Sequence, residues 1–157
     1  MADSRLADPV GDGPWRWSLM ALVRFRAWLL GSVYTAGSLI MLLSDDGLVL
    51  LVKPWYRRGW GLPGGTMKRA EQSADTASRE LREETGLSVE LDEAHDVYVQ
   101  RNRRHIDHLY VVRVETSRAL VPKAGGEIRA ALWHRLEALP PLQREAHEAL
   151  RRVRMRR

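Results

Sequence analysis

Apolar residues along the chain fall in runs whose spacing alternates between strand and helix periods. From Val33 to Leu43, and again from Leu48 to Lys53, the side chains are largely aliphatic, and Asp45-Asp46-Gly47 lies between the runs. That pattern predicts two strands joined by an Asp-Gly turn. Strands with so little polar alternation belong in a sheet covered on both faces. A glycine- and aromatic-rich loop spans Pro54 to Thr66. The spacing then predicts a helix over about Gln72 to Thr85, with Ala74, Ala77 and Leu81 on its inner stripe and Gly86 where a C-terminal cap belongs. Further strands are expected at about Val97 to Asn102, Leu109 to Glu115 and Ile128 to Trp133. Pro140-Pro141 starts a last helix carrying Leu142, Ala146, Ala149 and Val153 at helical spacing.

The beginning of the chain is of another kind. Residues 1–14 hold three aspartates, two prolines and two glycines with few large apolar groups, the composition of a disordered leader. In residues 15–30 the apolar positions surround most of a helical wheel, which predicts a helix packed on several sides. Residues 31–157 are expected to form one domain ending in a basic helix and tail. The uncharged run Ala27 to Leu43 approaches the ~20 residues of a spanning helix. It contains Gly31, Ser32, Thr35, Gly37 and Ser38, and the strand assignment is preferred. No transmembrane segment is therefore expected, and the apolar stretch lies too far from Met1 for a secretory signal.

Composition removes several chemistries. Without cysteine there are no disulfides, thiol nucleophiles or thiolate-held metals, so a metal must sit on oxygen or imidazole. A reducing compartment is permitted, and the cytoplasm is the expected location. The net charge of +5 comes from the end of the chain, where Arg151, Arg152, Arg154, Arg156 and Arg157 stand without an acid. A neutral body with a basic tail fits a solvated helix end better than a nucleic-acid groove, although a phosphate-binding or membrane-surface arm stays open.

The sharpest feature lies on the helix predicted after Gln72. Glu80, Glu83 and Glu84, at i, i+3 and i+4, put three negative charges on one face. Such neighbours repel by about 0.2–0.5 kcal/mol a pair on an exposed helix, and by more if the face is partly buried. A divalent cation would reverse the sign, and Arg79 and Arg82 could relieve part of it. Upstream, Pro63 begins a tight turn ending in Gly64-Gly65, where bare backbone can approach an ion or a phosphate. Glu71 follows before the helix. Hard cations such as magnesium take oxygen ligands of this kind.

Gly65, Glu71, Arg79-Glu80-Leu81, Glu83-Glu84 and Gly86-Leu87 stand at the spacing G-x5-E-x7-R-E-U-x-E-E-x-G-U, where U is a bulky aliphatic residue. This resembles the complete box of the Nudix hydrolases. The likeness extends over about Val33 to Pro140. It implies an α/β class fold, an α/β/α sandwich with a central mixed sheet. It also implies hydrolysis of a nucleoside diphosphate linked to another group, with Mg2+ or Mn2+. Carried over by position, Glu80, Glu83 and Glu84 would be metal ligands, Gly64 or Gly65 would add a carbonyl, Arg79 would orient a glutamate, and Glu71 would support the site. Gln72 stands where many relatives have a serine or threonine cap, which weakens the helix start.

The general base varies in such enzymes between a box glutamate and a loop glutamate. Between Glu115 and Trp133 the only carboxylate is Glu127, after Gly125-Gly126, so Glu127 is the candidate base or extra ligand. Trp55, Tyr56, Arg57, Arg58 and Trp60 are candidates for stacking on a base and holding phosphates, with sheet-edge packing as the alternative. Arg101, Arg103, Arg104, His105 and His108 suggest a polar hairpin. The expected activity is a pyrophosphohydrolase acting on a small nucleotide, with magnesium as cofactor. Action on RNA 5′ ends and a non-catalytic nucleotide-binding module are the alternatives. The segment over residues 15–30 leaves a homodimer or a weak membrane-surface contact open.

Overall fold

The computed structural model describes residues 35–100, 104–115 and 121–155. The chain divides between Val33 and Tyr34 into two units, and every described residue lies in the second. The leader and helix expected over residues 1–30, and the last two arginines, fall outside the described residues.

Strands β1 (Thr35–Ser44) and β2 (Leu48–Pro54) form the expected hairpin. It turns at Gly47 with φ of 79°, a left-handed conformation that glycine adopts without strain. Further along come β3 (Gly64–Thr66), helix α1 (Ser73–Thr85), β4 (Asp96–Val99), β5 (His105–Val114), β6 (Ile128–Arg135) and helix α2 (Arg144–Met155). The sheet order is β4-β5-β1-β2-β6, with β3 alongside β1. Among the described strand pairs only β1–β5 is parallel, running from Thr35 opposite His105 to Ser44 opposite Val114, so the sheet is mixed.

Side chains alternate across a strand, and here both sets are apolar. Met41, Leu43, Val49 and Leu51 meet Ala146, Ala149, Leu150 and Val153 of α2. Ile40, Leu42 and Leu50 meet Ala77 and Leu81 of α1. A helix on each face completes the α/β/α sandwich. No helix among the described residues is long and apolar enough to cross a membrane, and the greater part of the uncharged run is β1.

Gln72 caps α1 through its backbone alone, with no side-chain hydrogen bond. Tertiary contacts hold the start instead: Ser38 Oγ donates to Ser73 O at 2.7 Å, and Ser73 Oγ lies 2.8 Å from the Tyr110 hydroxyl. At the other end Gly86, with φ of 69°, donates its N–H to Arg82 O.

Several boundaries differ from the sequence expectation, and one short strand, β3, is additional to it. β5 begins at His105 rather than Leu109, so His105 and His108 are strand residues of the antiparallel β4–β5 pair and not of the turn between them; Arg101 and Arg103 lie outside the described residues. The ten-residue ladder with β1 supplies backbone partners that outweigh the polarity of these positions. β4 ends at Val99. β3, a three-residue strand of two glycines and a threonine, has no pattern of its own and exists because β1 offers an edge. α2 begins at Arg144, and Leu142 precedes it, bridged to Trp60.

Candidate active site

α1 carries the acidic face over the sheet, and Arg79 organises it. Its Nε and Nη2 donate to the two oxygens of Glu71 at 2.7 and 3.0 Å, a bidentate pair. Its Nη1 donates to Glu80 Oε1 at 2.7 Å and reaches Glu83 Oε2 at 3.4 Å. Glu71 also accepts the Lys68 N–H at 2.8 Å. The Arg79 hydrogen bonds, then that of Lys68, hold the Glu71 carboxyl at about 2, well below the usual carboxylate range. Glu71 thus fixes the guanidinium that fixes Glu80.

β3 places the two glycines against this face. Gly64 donates its N–H to Glu84 Oε2 at 3.0 Å. Its φ is 153°, and a Cβ there would collide with Ser38 O. A Cβ on Gly65 would run into the Glu80 carboxylate, with Cδ only 2.6 Å away. The box glycine therefore leaves the space that the glutamate occupies. Glu84 is the acid Arg79 does not serve. Burial pushes its pKa up to about 8, the charges of Glu80, Glu127 and Glu83 add to the rise, and the Gly64 N–H opposes it.

Glu127 is delivered by the loop ahead of β6. Lys123 N–H donates to Thr85 O at 2.8 Å and Gly125 N–H to Glu84 O at 3.1 Å, so the loop satisfies carbonyls at the C-terminal end of α1. The approach needs a bare glycine, since a Cβ on Gly125 would stand 2.6 Å from Glu83 O. On the other side Glu127 O accepts the Trp55 N–H at 3.0 Å. Burial, followed by the charge of Glu127, raises the Tyr56 pKa.

The other loop candidates separate. Trp55 is half exposed, with the Arg129 guanidinium 5.5 Å from its ring centre. Arg57 makes two 3.0 Å bonds to Glu145 on α2, which ties the loop to that helix. Arg58 is exposed. Trp60 corrects the expectation of a stacking residue: it is 8% exposed, sits in the α2-side core and meets the His134 ring edge-on at 4.5 Å. A backbone exchange with Pro141 and Gln143 draws it inward, a non-local contact that loop composition does not reveal. The basic helix end is likewise partly spent, as Arg151 and Arg152 bond to Glu148 and Arg152 also to Asp96. The Gly125-Gly126 pair ahead of Glu127 is visible in the sequence, whereas the Arg129–Trp55 contact has no sequence signal.

Among the described residues, no three acidic or imidazole side chains converge closely enough to hold an ion as they stand. The donors nevertheless suit a hard divalent cation: they are all oxygen, the Gly65 cradle seats one carboxylate, and Glu84 carries a charge penalty that a cation would remove.

The family model for the NUDIX domain matches residues 33–155. A Bacillus subtilis relative, "Putative 8-oxo-dGTP diphosphatase", is 30% identical over 101 residues, covering 64% of this chain and 66% of that protein. The solved structure of a MutT NUDIX hydrolase from Burkholderia pseudomallei superposes with a TM-score of 0.64 at 25% identity, covering 76% of this chain and 97% of that one. A bifunctional NMN adenylyltransferase/ADP ribose pyrophosphatase from Francisella tularensis, complexed with AMP and a manganese ion, shares the fold. Its TM-score is 0.74 at 17% identity, covering 88% of this chain and 47% of that one. The chain spans 26% to 66% of the length of the first curated relatives it matches. With most of its length matched by the domain and the full box folded onto β3 and α1, the chain belongs to the Nudix family.

Proposed function

We propose that this chain is a pyrophosphohydrolase dependent on a divalent cation, Mg2+ or Mn2+, that cleaves a nucleoside diphosphate linked to a further group. The observation that carries the proposal is Glu84, a half-buried carboxyl beside three other acids whose donor among the described residues is the Gly64 backbone N–H. An arrangement that unfavourable makes sense where a cation joins it. The names of the matched relatives, a diphosphatase and a pyrophosphatase among them, support the same chemistry.

Glu80, Glu83 and Glu84, with the Gly64 carbonyl, are the residues that would hold the cation. Bound there, the cation would neutralise phosphate oxygens and acidify an attacking water. The chain's own groups do the rest. Arg79, anchored by Glu71, positions Glu80 and reaches the half-exposed Glu83. Glu127, whose charge contributes to the raised pKa of Glu84, is the candidate for taking the proton of the attacking water. Trp55, Arg57 and Arg58 rim the same loop.

A screen of nucleoside triphosphates and nucleotide conjugates with magnesium or manganese, products identified by mass, tests the proposal. Turnover by wild type but not by Glu84→Gln is expected. Tight nucleotide binding without any metal-dependent product, equal in both proteins, would overturn it. Glu127→Gln with unchanged turnover at saturating metal would remove Glu127 as base and leave the remainder standing.

A further inference from the structure

Helix α2 sorts its charges by side. At 3.6 residues per turn, Arg144, His147, Arg151, Arg154 and Met155 share an arc of about 100° that holds no acid. All five are exposed. Glu145 and Glu148 stand on the next arc, where Arg57, Arg151 and Arg152 serve them. Among the described residues Arg144 and Arg154 meet no carboxylate, and the contact Arg154 makes is the long one to Leu136 O.

Beside the basic arc runs a groove of about 800 Å3 with Leu139, Leu142 and Leu150 in its wall. Leu139 and Leu142 are only partly buried, and Met155, which also lines the groove, is 72% exposed. A solvated arginine costs little by itself. A trough of aliphatic side chains left in water is different, and such a patch rimmed by polar groups marks contact with another surface.

A surface that complements the groove exists on the same chain. The loop from α1 to β4 carries Glu90, Asp92 and Glu93, all exposed and, among the described residues, without a cationic partner. Val97 follows four residues after Glu93, and it and Val99 are 52% and 50% exposed on β4. Tyr98, between them, packs in the α2-side core, so strand alternation turns both valines to the α1 side. Val89 and Leu91 of the loop pack on that side too. Acids and valines thus lie on one layer of the sandwich and the basic groove on the other. With the sheet between them, they can meet only between two molecules.

We propose that the groove along α2 receives the acidic α1–β4 loop and the adjoining valines of a second copy of this chain. Arg144 and Arg154 face Glu90, Asp92 and Glu93, which sets the register, while Met155 and the leucines cover Val97 and Val99. Exposed ion pairs alone hold surfaces weakly, so the contact needs both parts. Because the two patches differ, it is head-to-tail, and a joined pair keeps one groove and one loop unused. Other occupants suit the groove less well. Single-stranded nucleic acid is held by rings that stack on its bases, and no Phe, Tyr or Trp lines the groove. A bilayer is entered by apolar side chains that protrude, whereas Leu139, Leu142 and Leu150 line a recess.

Sedimentation equilibrium of the full chain, in chelator and without substrate, tests the contact apart from turnover. The average mass is expected to rise with concentration, and raising salt from about 50 to about 500 mM should weaken the association about tenfold. Arg144→Gln with Arg154→Gln, and separately Glu90→Gln with Glu93→Gln, should each weaken it about tenfold at unchanged melting temperature and turnover. An equimolar mixture of these two variants retains one native junction, so it should form a pair of wild-type affinity that grows no further. A misfolded variant could not restore that pair. A chain that stays monomeric at millimolar concentration in low salt, association indifferent to both sets of substitutions, or a mixture no larger than its components would overturn the proposal. So would a monomeric wild type that pellets with phosphatidylglycerol vesicles and loses this with Arg144→Gln and Arg154→Gln, since the groove would then belong to a membrane.

Discussion

On the α2 side of the sheet, carboxylates have guanidinium partners close by: Glu145 has Arg57, Asp96 has Arg152, and Glu148 has both Arg151 and Arg152. On the α1 side the Arg79 guanidinium is shared by Glu71, Glu80 and Glu83, and Glu84 accepts a backbone N–H. The pKa directions follow the pairing. Glu148 is lowered by its hydrogen bond to Arg151, whereas burial and unrelieved neighbours raise Glu84. Two helices of similar length pack on one sheet through alanines and leucines alike, yet one face has its charge settled and the other keeps it in excess. Unsettled charge at little cost in packing marks the face on which chemistry is possible.

The largest expected break in this contrast comes from Glu84→Gln. Turnover should fall on the order of 10²-fold or more, as for loss of a group acting at the reacting centre. The metal-free variant should nonetheless be more stable than wild type at alkaline pH. Since the folded pKa of Glu84 lies near 8, above its ordinary 4.5, the wild-type contribution is fully present below pH 4.5 and is lost as pH rises toward 8. The slope is at most about 1.4 kcal/mol per pH unit. Denaturant melts in chelator across that window should show the decline in wild type and its absence in the variant. Magnesium should flatten the wild-type curve.

Gly65→Ala should have a smaller effect of the same kind. The methyl displaces the Glu80 carboxylate from its seat. Turnover should drop about tenfold or more with the apparent metal affinity weakened, measured as rate against magnesium concentration. Arg154→Ala, on the outer side of α2, should be smallest. Its guanidinium makes one long 3.5 Å contact to Leu136 O, so the melting free energy should move by less than about 0.5 kcal/mol and turnover should hold. A large loss of activity from Arg154→Ala would erase the distinction between the two faces.

The helix and its acids were legible because their signals are local. Ala77 and Leu81 mark a buried stripe, Gly86 a left-handed cap, and the glutamate spacing a single face. The β1–β2 pair was legible because unbroken aliphatic runs suit a strand covered on both sides. Trp60 was misplaced since its burial depends on residues 141–143, far along the chain. His105 and His108 looked like turn residues because strand pattern rules favour apolar side chains, whereas the long ladder with β1 holds both in β5. That Arg79 binds three acids and omits the fourth is a matter of rotamers, which spacing cannot express.

The hydrogen bonds from Lys123 and Gly125 to the last carbonyls of α1 weld the loop carrying Glu127 to the helix carrying Glu84. The two acids ride on one rigid piece, and a disturbance that unwinds the final turn must carry off both partners together. Lengthening or shortening residues 121–126 would thus act as a mechanical lever on the distance between them, without touching either side chain.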